Sequence, residues 1–187
     1  YGFQPDLPQP KQFCGHDHEA FENSEIKTPR NFGKRMGTTM GDRRFNYRVA
    51  IVTTGEFYVK NGNNDNAVRT VVVNSVNAIS AIFNNELSYR LTVGTRIFLY
   101  NNPNTDPFIP DGAGGQGRTV QAGNIVPMQF ASNLFDIGHV FHQHEDGDNW
   151  GNGGVAQLQS VCDNSTFFGL LIKASAWSGG YSNFGND

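Results

Sequence analysis

Imidazole side chains gather at two places in the chain. His16 and His18 form one group, and His139, His142 and His144 form the other, in a run that continues into Glu145, Asp146, Gly147 and Asp148. Imidazole nitrogens and carboxylate oxygens are the donors that zinc and related ions take, so His139, His142, His144, Asp146 and Asp148 make a candidate metal site. Its geometry depends on the backbone beneath it. In a strand His142 and His144 share a face, whereas in a loop their spacing fixes no direction. The helical zinc motif H-E-x-x-H needs its second His one turn after the first, so that both rings reach one ion. In His18-Glu19-Ala20-Phe21-Glu22 that place is held by Glu22, and His144-Glu145-Asp146-Gly147-Asp148 ends on Asp148 in the same way. Calcium would find oxygen donors in Asp146, Asp148, Asn149 and Asn152, or in Asn63 to Asn66, although neither loop has the EF-hand spacing. A G-x-S-x-G elbow and a P-loop Lys-Ser/Thr are both lacking, and neither Cys14 nor Cys162 sits beside an obvious base. No catalytic residue is assigned on these grounds.

What must position such groups is one domain, or one domain with an arm, because 187 residues suffice for a single core. The net charge of -3, with no block of Lys or Arg in the chain, excludes a protein that works by neutralising phosphates, so no nucleic-acid partner is expected. Nor does any apolar run approach the roughly 20 residues that span a bilayer. Only 17% of residues are charged while glycines number 22, a profile that fits a loop-rich secreted or cell-surface protein. Position 1 is Tyr, and no basic stretch followed by an apolar segment opens the chain, so any export signal is expected to have been removed or left out. Cys14 and Cys162 suit an oxidising compartment if paired and any compartment if free.

Residues 1–45 carry Pro5, Pro8, Pro10 and Pro29 and little periodicity, and read as an extended arm ahead of a domain over 46–187. Order begins with the β-branched run Arg48 to Thr54, closed by Gly55, a buried strand. Val68, Val72, Val76, Ile79 and Phe83 recur at helical spacing with Asn64 or Asp65 as N-cap. Tyr89 to Tyr100 reads as a strand, Asn101 to Gln121 as an irregular surface loop, and Phe135 to Phe141 as a short element. Val155 to Val161 and Phe167 to Ile172 read as two further strands. Together these give an α/β sandwich on a mixed sheet.

Three segments then carry a family likeness: Arg48-Val49-Ala50-Ile51-Val52-Thr53-Thr54-Gly55-Glu56-Phe57, Phe135-Asp136-Ile137-Gly138-His139-Val140-Phe141, and Gly153-Gly154-Val155-Ala156-Gln157-Leu158-Gln159-Ser160-Val161-Cys162. In order and character they resemble the reprolysin-type (adamalysin-like) metzincin zinc metallopeptidases, in particular their secreted bacterial members, over about residues 46 to 176. Gly154, Ala156 and Cys162 are similar to the family's G-x-A-x-x-G-x-x-C segment, with Gln159 where that pattern has Gly.

The resemblance implies the upper part of a metzincin catalytic domain: a twisted mixed sheet, mostly parallel with one antiparallel edge strand, and one or two helices. It implies that Gly154, Val155, Ala156, Gln157 and Leu158, in an edge strand running from Gly154 to Val161, hold an extended substrate by main-chain pairing. Lys173 to Gly179 would be the next strand and loop. The zinc helix would follow, so the zinc ligands of the parent protein are expected outside these residues. Cys14-Gly15 resembles the propeptide cysteine of latent metzincins, whose thiolate blocks the zinc, with a disulfide to Cys162 or to a cysteine outside these residues as the alternative. The expected partners are a peptide or protein substrate and the C-terminal remainder of the precursor. A different class of function competes with this: a noncatalytic surface binding or assembly module that kept the scaffold. Metal storage or sensing through His139, His142 and His144 is a third.

Overall fold

The computed structural model describes residues 45–108, 114–143 and 153–180. It starts with β1 (Phe45–Thr53), followed by α1 (Gly55–Lys60), α2 (Asp65–Leu87) and β2 (Tyr89–Leu99). β1 and β2 pair in parallel. α3 (Gly114–Gln129) then leads to β3 (Ile137–Gln143), which lies parallel to β1 on its other side. After it come β4 (Gly153–Ala156), the short pair β5 (Thr166–Phe167) and β6 (Leu170–Leu171), and β7 (Ala176–Gly180). β7 is parallel to β3, while β4 runs antiparallel along its outer side. The five-stranded order is β2-β1-β3-β7-β4. This is the mixed, mostly parallel sheet with an antiparallel edge that the sequence led one to expect.

Each face of the sheet has its own core. On one, Val68, Val72 and Val76 of α2 and Phe57 of α1 pack on Val49, Ile51, Ile97 and Phe141. On the other, Ala122, Ile125 and Val126 of α3 pack on Ala50, Val52, Val140 and Trp177. The alternation of Val49 to Val52 between the two clusters is the period-2 signature of a central strand buried on both sides. α2 begins where Asn64 Oδ1 accepts the N–H groups of Asn66 and Ala67, and ends on Ser88 in the left-handed conformation.

Several expected boundaries move. Asn101 to Gln121 is not all loop, because α3 starts at Gly114. Its inward positions, Arg118, Gln121, Ala122, Ile125 and Val126, follow helical spacing, but two are polar and one is Ala, which hides the stripe. The edge strand stops at Ala156 rather than reaching Val161: Gln159 and Cys162 have φ of 57° and 62°, which no strand admits. Phe167 to Ile172 is a tight hairpin, and a 3-10 turn at Ile172–Ala174 delays the next strand to Ala176.

Candidate functional site

β4 is four residues long and exposed throughout. Gly153, Gly154, Val155 and Ala156 face Gly179, Ser178, Trp177 and Ala176 of β7 across the ladder, and the Gln157 N–H continues it to the Ser175 carbonyl. β4 is last in the strand order, so its other side has no strand partner among the described residues. A strand with one spent and one open edge can accept an extended peptide by adding its hydrogen bonds to the row. Gly154 is required for the close approach to β7: a Cβ there would sit 2.5 Å from the Trp177 carbonyl oxygen. Thus Gly154, Val155 and Ala156 lie on the strand itself, Gln157 just past its end, and Leu158 in the following turn, 82% exposed.

The two described histidines, His139 and His142, do not converge. His139 and His142 have opposite parity on β3. The His139 ring lies 5.1 Å from that of Phe141, with Nε2 2.9 Å from Ser178 Oγ. His142 faces Trp177 on the other side, with Nδ1 3.0 Å from Thr54 Oγ1. Desolvation lowers the His139 pKa from 6.5 to about 4, so its imidazole stays neutral across the physiological range. His144, Asp146 and Asp148 lie outside the described residues, as does Cys14. Asp65 accepts the Tyr58 hydroxyl and pairs with Arg69, and Asn64 caps α2, so the Asn63 to Asn66 loop spends these oxygens on structure. Among the described residues no three His, Cys, Asp or Glu could hold a metal ion. Cys162 is buried and disulfide-bonded.

Sequence reasoning did not reveal a buried polar cluster at the carboxyl ends of β1 and β3. The cluster lies where the crossover from β1 packs on one face of the sheet and the crossover from β2 on the other. Thr54 caps α1, accepting the Phe57 N–H, and puts Glu56 in the first turn with Oε2 3.7 Å from His142 Nδ1. The Gly55 N–H donates to Asp106 Oδ2 at 2.6 Å, and Arg118 of α3 acts on both Glu56 and Asp106. Burial raises the pKa of both acids. The signal was present: Thr-Thr-Gly-Glu after a buried strand is an N-cap followed by an acid in the first turn. Both the Thr54 and Glu56 contacts fall on Nδ1 of His142, so the trio is not a nucleophile–base–acid relay.

Beneath the sheet, Asp136 joins β1, β3 and the segment after β4. It accepts the Arg48 N–H at 2.7 Å and pairs with the guanidinium at 2.9 and 3.1 Å, while its carbonyl accepts the Cys162 N–H.

The sequence model of metallo-peptidase family M12B, reprolysin-like, matches residues 44–184. The chain belongs to that family. The M12B reprolysin-like peptidases depend on zinc, and the described residues hold no donor set that fits it. The match spans β1 through β7, so the exposed edge β4 and the cluster at β1 and β3 both fall within the family's domain. No curated protein matches the chain closely enough to serve as a relative.

Proposed function

We propose that this chain is the N-terminal, substrate-holding part of a secreted zinc metalloendopeptidase, in which β4 grips an extended peptide and residues outside this chain supply the zinc helix. The observation that carries the reading is an exposed antiparallel edge strand in a chain of the M12B family. Main-chain pairing serves an endopeptidase well, because it binds any sequence in extended form and leaves selectivity to side-chain pockets. The disulfide at Cys162 supports an oxidising destination, outside the cell or at its surface. In this reading residues 1–45 are an arm from the end of a propeptide, and 46–187 are the first part of the catalytic domain. Zinc is the cofactor of the whole protein.

The test has two arms. Incubated with zinc and an unstructured fluorogenic peptide, the chain alone turns nothing over. The same peptide slows hydrogen exchange at the amides of Gly153 to Gln157. Chelator-sensitive hydrolysis by the isolated chain would overturn the division of labour, and no protection of β4 would overturn its role as the grip. Protection by one folded partner protein and not by extended peptides would instead favour the noncatalytic binding module.

A further inference from the structure

The stripe that packs α2 on the sheet runs past its own cover. Val68, Val72, Val76 and Ser80 recur every fourth residue and are buried. The same line continues through Phe83 and Leu87, with Ile79 and Ile82 beside it, yet these four are between 37% and 53% exposed. Tyr89 and Phe45, in edge-to-face contact at 5.7 Å, extend the patch onto the starts of β2 and β1. A contiguous apolar surface of this kind marks a contact.

What covers it is indicated by the chain itself. Residues 1–44 end at Phe45, inside the patch, where the Phe45 N–H donates to the carbonyl of Ser88, the residue that caps α2. The last turn of α2 has no basic residue. A helix C-terminus favours cations, and residues 27–44 bring Lys27, Arg30, Lys34, Arg35, Arg43 and Arg44 against the single acid Asp42. Phe32, Met36 and Met40 in the same stretch are adaptable apolar groups suited to an aromatic surface. Asn84 Oδ1, on this end of α2, is buried without a hydrogen-bond partner and would take a donor.

We propose that residues 27–44 are a tethered cover that packs on the exposed end of α2, with Phe32, Met36 and Met40 on the apolar stripe and the arginines and lysines at the helix C-terminus. The cover is independent of the peptide grip at β4, and its test does not involve peptide.

A photo-crosslinking benzoylphenylalanine in place of Phe83, in the full chain, should cross-link within the molecule to residues 27–44. Cross-links to a second copy of the chain, or none to the arm, would overturn the proposal. As a check that does not alter the domain, the F32S/M36S/M40S variant should raise the fluorescence of an apolar-surface dye several-fold with unchanged far-UV circular dichroism. Unchanged dye fluorescence would overturn it equally.

Discussion

At one border of the sheet, β2 pairs with β1 from Tyr89 to Leu99 and lies under α2; at the other, β4 sets four exposed residues against β7. The first border is covered on one face by α2, whose Val68 and Val72 are fully buried. The second is built from Gly153, Gly154, Val155 and Ala156, all of them exposed. Burial on one side supplies the free energy that folds the domain. Thin cover on the other leaves backbone groups open to a partner. Stability and recognition are therefore held in different strands of one sheet, and substitutions should separate them.

The largest effect belongs to the sealed side. Phe57→Ala empties a fully buried ring site between α1 and β3, where Phe57 and Phe141 lie 5.5 Å apart, and should cost ~3–5 kcal/mol. A urea titration would show the midpoint falling with unchanged slope. Next comes Asp136→Ala, which deprives the Arg48 N–H and guanidinium of their acceptor at the base of β1 and β3 and should cost ~2–3 kcal/mol by the same measurement. If either change proved harmless while substitutions in β4 unfolded the domain, the division between the borders would be wrong.

A smaller change, of opposite sign, comes from the cluster between them. Burial raises the folded-state pKa of Glu56 above its ordinary 4.5, so the folded chain holds that proton more tightly than the unfolded chain does. The contribution of Glu56 to stability is therefore full below pH 4.5 and is lost as pH rises from there through the folded pKa. Glu56→Gln removes this loss and should raise stability at neutral pH, with no gain below the ordinary carboxylate range. Thermal melts of both proteins at acid and neutral pH would show the difference closing on the acid side. A gain that persists in acid would mean that the buried carboxylate is not its source.

The contrast between borders also explains what could be read from the sequence. α2 was legible because Val68, Val72, Val76 and Phe83 carry a strong helical period, and β1 because its β-branched run is closed by Gly55. α3 was not, since Arg118 and Gln121 occupy inward positions that a hydrophobicity pattern counts as surface. β4 was legible in part as the strand read from Val155 to Val161, its place at the edge came from the family likeness, and its true end is set by backbone angles at Gln159 and Cys162. The polar cluster escaped because Thr54, Asp106, Arg118 and His142 are far apart in sequence and meet only through the crossover. The opposed directions of His139 and His142 follow from strand parity once β3 is known to include both.

The smallest expected change in stability is the one that should matter most for binding. At position 154 any Cβ meets the Trp177 carbonyl oxygen at 2.5 Å, and that atom is backbone and cannot yield. Gly154→Val must therefore push β4 away from β7. Since all four residues of β4 are exposed, little apolar burial is lost, and the global cost should stay below ~1 kcal/mol. The displaced strand no longer presents its outer N–H and C=O groups in line with the sheet, so an extended peptide should lose its protection of the Gly153 to Gln157 amides. Exchange measured on wild type and variant, with and without peptide, separates the two effects. A variant that keeps full peptide protection would mean that peptide is held elsewhere, and the exposed border would then be a consequence of folding rather than a place of recognition.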